Sequence, residues 1–334
     1  MPAPAQQPSR PAPVLALDLG GTHLRTAVVD AQGALTARRR TRSPISQGAA
    51  AVVEAATRQL DETRVAHRAT GGEPPVALGI SAPGPLDPVS GRLIDPPNLH
   101  HSLHGFALGP ALGDALGLPW SLDRDTNVAV LAESGFGAGT GFPDLVYVTV
   151  STGIGGGIIT SGRLLTGGQR AAGEVGHISV DMDGPICGCG ARGHLERLSS
   201  GTGIARSARE ALATDVHAPV LRAIAAREAP RPLEAVHVDE AASAGDAVAM
   251  DIIARAIRAF AAAIVSIANL FAPDRIIVGG GIAIAWGDRL LQPARDAVEA
   301  HAFRVQAARV RIVPAALGDD VGLIGALPLV EFRV

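Results

Sequence analysis

Twice along this chain an apolar strand runs into a glycine turn and out again into a second strand. The first copy is VLALDLGG, residues 14–21, followed by a strand over 24–30 and another tight turn at Ala31-Gln32-Gly33. The second begins near Leu145, with DLVYVTV as the strand, STGIGGG as the glycine turn and 158–161 as the returning strand. Runs of β-formers broken by glycine clusters are what predict such units. The copies agree in pattern, not in residue identity. Placed at two points of a 334-residue chain, they predict two related α/β halves around a cleft. With 47% hydrophobic but only 3% aromatic residues, the core must be aliphatic.

Between and after the copies, helices and strands alternate. A helix is expected near 47–63, then a strand over 76–81 that ends at Ala82-Pro83-Gly84-Pro85. A helix over 109–116, a strand over 120–123 and a helix opening at Asp125 follow. In the second half, Ile253, Ile257, Phe260, Ile264, Ile267 and Phe271 recur every four or three residues, the stripe of a buried helix. Asp251, Arg255 and Arg258 fall on its other face, and this helix carries no chemistry. A strand over 275–278, the loop Gly279-Gly280-Gly281, a helix and a strand over 310–314 come next; GDDVGLIGALPLV, from Gly318, predicts a closing helix.

Charge removes several functions. The net charge is −3, which offers no electrostatic footprint for nucleic acid or an anionic membrane. The chain contains no lysine, so all 29 basic residues are arginine. That excludes a Walker-A lysine, a Schiff-base lysine and a lysine general base; phosphate must be held by backbone amides, arginine or metal. The opening MPAPAQQPSRPAP lacks the apolar core of a signal peptide and reads as a disordered tail. The apolar run 259–272 is too short and too polar to span a bilayer. Two cysteines one residue apart make no disulfide framework. The expectation is a soluble cytoplasmic protein.

Glycines in succession let backbone amides approach phosphate oxygens. There are three such loops: Gly20-Gly21-Thr22, Thr152-Gly153-Ile154-Gly155-Gly156-Gly157 and Gly279-Gly280-Gly281. Any one alone reads equally as a hairpin turn. Together, each following an apolar strand, and with Asp18 placed to organise Mg²⁺ through water, they point to a nucleotide. The pattern is neither Rossmann nor Walker A. A second dense segment, residues 173–196, reads GEVGHISVDMDGPICGCGARGHLE and holds both cysteines of the chain, with histidines and carboxylates beside them. Thiolates and imidazoles so arranged suit tetrahedral zinc.

DLGGTHLRTAVVD, SAPGPLD, DTNVAVLAESGFGAG, STGIGGGII, GEVGH, CGCGARGHLE, RIIVGGG and GDDVGLIGA, in this order, resemble the ROK family of sugar kinases, mainly glucokinases, and sugar-responsive repressors. The resemblance runs from about residue 14 to 329. It implies a two-domain, ribonuclease-H-like (actin/hexokinase-type) α/β fold with an interdomain cleft that closes over ATP and sugar. The expected division is a tail at 1–13, a small α/β domain of 14–122 plus 315–334, and a large one of 123–314 with the zinc loop.

The function implied is ATP-dependent phosphorylation of a hexose 6-hydroxyl, with glucose first and mannose, fructose, N-acetylmannosamine or N-acetylglucosamine as alternatives. A sugar-sensing repressor is disfavoured by the acidic balance and by the 13 proline-rich residues before the first strand, which hold no helix-turn-helix. On the residues alone, Asp125 is either a helix N-cap or a catalytic carboxylate; the resemblance makes it the general base, ahead of Asp123 within the strand. It also implies Asn98, Glu174, His177 and Glu196 as sugar contacts, with Gly84 letting the backbone come close. Nucleotide contacts fall to Asp18, Gly20, Gly21, Thr22, Thr152, Gly153, Gly279, Gly280 and Gly281, with ATP and Mg²⁺. A structural Zn²⁺ falls to His177, Cys187, Cys189 and His194.

Two positions depart from the family pattern: His194 replaces a third cysteine, and Arg124 stands where an asparagine is common. The resemblance further implies a homodimer or higher homo-oligomer, and neither a nucleic-acid nor a membrane partner. Arg25 reaches either phosphate or solvent. His100, His101 and His104 are expected to line the sugar entrance, and the run Arg38-Arg39-Arg40 to be a solvated strand end.

Overall fold

The computed structural model describes residues 12–94, 100–214 and 216–331. Of the tail expected at 1–13, residues 1–11 lie outside the described residues. The rest packs as two compact units, one of 12–140, 167–171 and 319–331, the other of 141–166 and 172–318. The chain therefore crosses after residue 140, not after 122, and before 319, not 315. The reason is that the strand ending at Arg124 pairs within the first sheet and carries its following helix with it.

In the first unit the strands are β1 (Val14–Leu19), β2 (His23–Val29), β3 (Leu35–Arg42), β4 (Leu78–Ala82), the small pair β5 (Leu86–Asp87) and β6 (Arg92–Leu93), and β7 (Trp120–Arg124). The main sheet has the order β3-β2-β1-β4-β7. The second unit holds β8 (Leu145–Val150), β9 (Ile154–Thr160), β10 (Arg163–Leu164), β11 (Arg275–Gly279) and β12 (Arg311–Pro314), in the order β10-β9-β8-β11-β12. Each sheet is a three-stranded antiparallel meander extended by two parallel strands. The pattern repeat is a repeat of topology. One local expectation fails: Ile154-Gly155-Gly156-Gly157 is not turn but strand, paired with Val150 to Tyr147, because Gly156 lies flat against Val175 where a Cβ would come within 2.8 Å of its methyl.

Period-two alternation sorts β1 between two cores. Leu15, Leu17 and Leu19 join one cluster, with residues of α1 (Ala49–Ala69) and α2 (Leu108–Leu116). Val14 and Ala16 face the other way, onto Leu323, Ala326 and Leu327. Those residues belong to the last helices, while α3 (Asp125–Phe136), which follows β7, contributes Phe136 beside them. In the second unit the helices are α4 (Leu195–Ser199), α5 (Gly201–Leu212), α6 (Pro219–Glu228), α7 (Ala235–Ser243), α8 (Ala247–Phe271), α9 (Gly281–Trp286), α10 (Asp288–His301) and α11 (Arg304–Arg309). Most of the expected stripe of α8 lies in the core of that unit: Ile253, Phe260, Ile264 and Ile267 are buried, Ile257 is half-buried, Phe271 at the helix end is exposed, and Asp251 pairs with Arg255 on the outer face. Among the described residues, no helix is long and apolar enough to cross a membrane.

The closing segment is not one helix. It forms α12 (Val321–Ile324) and α13 (Ala326–Glu331), parted at Gly325, whose Cα is pressed on the backbone of Val128. Both return to the first unit. Packing there is tight enough to test. A Cβ on Gly79 of β4 would lie 2.6 Å from the Ala326 Cβ and 2.7 Å from its Cα. Gly79→Ala is expected to cost about 1–3 kcal/mol, read as a lowered thermal midpoint; an unchanged midpoint would mean this contact is loose.

Candidate active site

The face of the first sheet that meets the C-terminal helices carries a polar row. Register sets Arg25 of β2 opposite Asp18 of β1, Asp18 beside Ser81 of β4, and Ser81 beside Asp123 of β7. The row lies at the carboxyl ends of the parallel strands β1, β4 and β7, the end where open α/β sheets bind ligands. Asp18 is buried; its Oδ1 accepts from the Ser81 hydroxyl at 2.9 Å and its Oδ2 is 2.5 Å from the Arg25 guanidinium. Burial pushes the Asp18 carboxyl above its usual range, against the pull of Arg25 and Ser81. Arg25 also donates to the Asp319 carbonyl at 2.5 Å. Arg25 is thus a structural partner of Asp18, a role the sequence left undecided. Each carboxylate oxygen keeps a second lone pair, so Asp18 can still orient a metal-bound water.

Arg25→Ala would leave Asp18 buried without its counter-charge. An expected loss of about 1–3 kcal/mol is read by chemical denaturation, with Asp18→Asn/Arg25→Ala recovering part of it; no loss in the single variant would show the pair to be idle.

Just past Asp18, the hairpin closes with Gly20 N–H on the His23 carbonyl at 2.9 Å, so Gly21 and Thr22 form the exposed tip. At the end of β7, Asp123 is buried and accepts from the Arg124 N–H at 2.8 Å and the Asn127 amide at 2.9 Å. Asp123 therefore ties strand to helix. Asp125 is the first residue of α3, exposed, with Oδ1 taking the Thr126 N–H at 2.7 Å. The N-cap is Arg124, not Asp125. Arg124 is buried, and its Cδ and Cγ lie 2.8 and 3.0 Å from where a Gly84 Cβ would stand. Gly84 thus makes room for Arg124. Asn98 lies outside the described residues.

Of the other sequence features, Arg38 pairs with Asp320 and Arg40 lies 3.0 Å from the His23 ring, so the arginine run is tied down and not merely solvated. His100 bonds Ser102, whose hydroxyl accepts the Ala49 N–H at the start of α1.

In the second unit, the carboxyl ends of β8 and β11 bring two glycine loops side by side. Gly279 ends β11 opposite Thr149, and Gly280, at φ +92°, turns the chain into α9. Thr152 and Gly153 form the turn between β8 and β9. The Thr152 carbonyl accepts from Thr202, from its N–H at 3.1 Å and its hydroxyl at 2.9 Å. A Cβ on Gly201 would lie 3.6 Å from the Thr152 Cα and 3.4 Å from the Ile282 side chain, which puts α5 and α9 on either side of this turn. Glu196, expected to face sugar, has Oε2 on the Ile154 N–H at 2.9 Å. That bond and the Thr202 clamp were not foreseen.

His177, Cys187, Cys189 and His194 do come together, their donor atoms all within 4.8 Å of one another. Among the described residues, this is the one group of histidine, cysteine and carboxylate donors so placed. His194 Nδ1 is 3.1 Å from His177 Nδ1 and 3.2 Å from the Cys189 sulfur. A tetrahedron with zinc–ligand bonds of about 2.0–2.3 Å has edges of about 3.3–3.8 Å, so the set suits the ion once the two short separations at His194 open slightly and any pair near the 4.8 Å limit draws in. Burial raises the Cys187 thiol and lowers His194. The loop is shaped by Gly190 and Gly193, both at positive φ, and Gly193 leaves no room for a side chain against the Asp181 backbone.

Two sheets of one topology, each with glycine turns at its strand ends, occur in a sequence that matches the ROK family over residues 14–332. The chain belongs to the ROK family. Glucokinase of Thermotoga maritima is 33% identical over 321 residues, covering 96% of this chain and 98% of that one. N-acetylmannosamine kinase of Shigella flexneri is 33% identical over 318 residues, covering 95% and 98%. A ROK glucokinase structure from Streptomyces griseus, in complex with glucose and AMPPNP, is 32% identical and superposes with a TM-score of 0.75, over 95% of this chain and 99% of that chain. The ROK chain thus has the two-domain actin-like fold expected from its sequence motifs.

Proposed function

We propose that this ROK chain is an ATP-dependent hexose kinase that phosphorylates the 6-hydroxyl of glucose, a glucokinase. One observation carries the reading: the polar and glycine groups expected to serve phosphoryl transfer sit at the carboxyl ends of equivalent strands in two sheets of one topology. The similarity to the Thermotoga glucokinase and to the glucose- and AMPPNP-bound Streptomyces protein supports it.

In this reading Asp125 accepts the proton of the sugar hydroxyl as that oxygen attacks the γ-phosphorus. Its position in the first turn of α3, at the positive end of the helix, favours the carboxylate form. Asn98, Glu174, His177 and Glu196 are assigned to the sugar. Gly20, Gly21 and Thr22 of the first unit, and Thr152, Gly153 and Gly279 to Gly281 of the second, are assigned to the nucleotide through backbone amides. Asp18 would hold Mg²⁺ through a water, and the ion would supply positive charge to the transferring phosphate. Zinc is assigned to His177, Cys187, Cys189 and His194; four protein ligands close the shell, so its role is structural. A cytoplasmic homodimer or higher homo-oligomer completes the reading, and light scattering tests the assembly.

A kinase for another hexose is the second reading. Arg124 favours it, because its side chain fills the space over Gly84 directly beside the proposed base. ADP release with Mg²⁺–ATP, measured across glucose, mannose, fructose and the N-acetylhexosamines, decides. Turnover fastest with glucose supports the first reading, fastest with another sugar the second, and silence across all of them removes both.

A further inference from the structure

We propose that Glu196 makes sugar and nucleotide binding cooperative, holding the β8–β9 turn with one carboxylate oxygen and a sugar hydroxyl with the other. This rests on the hexose kinase reading. Glu196 Oε2 accepts the Ile154 N–H at 2.9 Å, across 42 residues of chain. Ile154 is the first residue of β9, immediately after Gly153. The same oxygen lies 2.8 Å from where a Gly153 Cβ would stand, so the carboxylate is seated on the turn itself. Among the described residues Oε1 makes no hydrogen bond. The backbone of the GEVGH segment closes in from the other side, with Gly176 against the Ile154 carbonyl and 3.4 Å, by its absent Cβ, from the Glu196 Cβ. Glu196, the GEVGH backbone at Gly176 and the turn assigned to the nucleotide are thus packed together within the second unit.

The physical consequence is mutual ordering. A nucleotide that fixes the Thr152–Gly153 turn also fixes the Ile154 amide and, through it, the Glu196 carboxylate. The sugar then meets an acceptor already oriented and gives up less conformational freedom on binding. By linkage, the sugar must favour the nucleotide by the same factor. His194 is the N-cap residue of α4, on which Glu196 is the second residue, so the metal cluster sets where this carboxylate starts from.

The test reads a ratio of affinities, so that loss of a direct sugar contact does not confuse it. Glucose is titrated calorimetrically into full-length, zinc-loaded protein with and without AMPPNP–Mg²⁺. Wild type is expected to bind glucose about 5- to 20-fold more tightly with the nucleotide analogue. In Glu196→Ala the ratio is expected to fall to about one. Gly153→Ala sets a methyl 2.8 Å from Oε2 and is likewise expected to lower the ratio, with the affinity for each ligand alone measured beside it so that a lost contact is told apart from lost coupling.

Hydrogen exchange over residues 150–157 gives a readout independent of turnover. Glucose alone should slow exchange in this segment in wild type and not in Glu196→Ala. A ratio near one in wild type, or a wild-type ratio kept by both variants, overturns the coupling and leaves the kinase reading intact. Failure of wild type to bind either ligand overturns both.

Discussion

Asparagine in place of Asp125 is expected to lower kcat by about 10²- to 10⁴-fold while glucose affinity changes by less than about threefold. Asp125 is exposed at the first position of α3, and its Oδ1 takes the Thr126 N–H, a bond that an asparagine oxygen can also accept. Strand, cap and helix stay as they are, because Arg124 and Asp123 shape the junction. What is lost is the ability to take a proton. ADP release measures the chemistry, and calorimetric titration with glucose the binding. Wild-type-like turnover would remove Asp125 from the chemistry. Asp123→Asn is the informative contrast: buried and bonded to Asn127, Asp123 should affect thermal stability first.

Removing the proposed zinc is expected to have the second large effect. His194→Ala, or prolonged chelation, is expected to lower zinc affinity by at least about 100-fold and to raise the KM for glucose by about tenfold. Backbone bonds such as Cys187 N–H to the Ala191 carbonyl at 2.7 Å and Gly193 N–H to the Pro185 carbonyl at 3.0 Å also hold the loop, so losing the ion is expected to loosen it and not to unfold it. Cys187 is the one buried ligand of the four, and Cys189 and His177 are exposed. Without a cation, Cys187 stays a buried thiol whose ionisation is opposed by burial and by the neighbouring Cys189 and Glu196. The His177 and His194 Nδ1 atoms, 3.1 Å apart, then need a proton between them. Loosening this loop moves His177, a neighbour of Glu174, and the start of the helix that carries Glu196. Metal analysis and a glucose titration in parallel read both consequences. Zinc content unchanged in His194→Ala would mean that the ion sits on other ligands.

The duplicated sheet and the placement of the glycine turns were legible because both rest on local signals: apolar runs, turn residues and strand period. Even the Asp18–Arg25 pair was within reach of the sequence. A two-residue tip at Gly21-Thr22 sets Leu19 opposite Leu24 and Asp18 opposite Arg25. The cluster of His177, Cys187, Cys189 and His194 was legible because the two cysteines of the chain sit one residue apart in a segment that also carries two histidines. Other features were not. The Glu196–Ile154 bond joins residues 42 positions apart, and nothing local marks an amide as a partner for that carboxylate. Gly84 read as an open approach because its neighbour in space, Arg124, arrives on a different strand. The triple glycine of β9 looked like a turn, because glycine alone does not distinguish a bend from a strand pressed flat against another segment.

The packing of α12 and α13 has a consequence for how the chain comes off the ribosome. On one face of the first sheet, Val14, Ala16, Ala27 and Val29 are packed against Leu323, Ala326 and Leu327, with Phe136 of α3 beside them. The half of the protein that is synthesised first cannot complete its core until the last residues of both units have emerged. Through most of translation that sheet presents a bare apolar surface, the kind of species that depends on chaperones. The second unit, contiguous apart from residues 167–171, has its full set of strands and helices earlier and is the half expected to fold ahead of the one that precedes it.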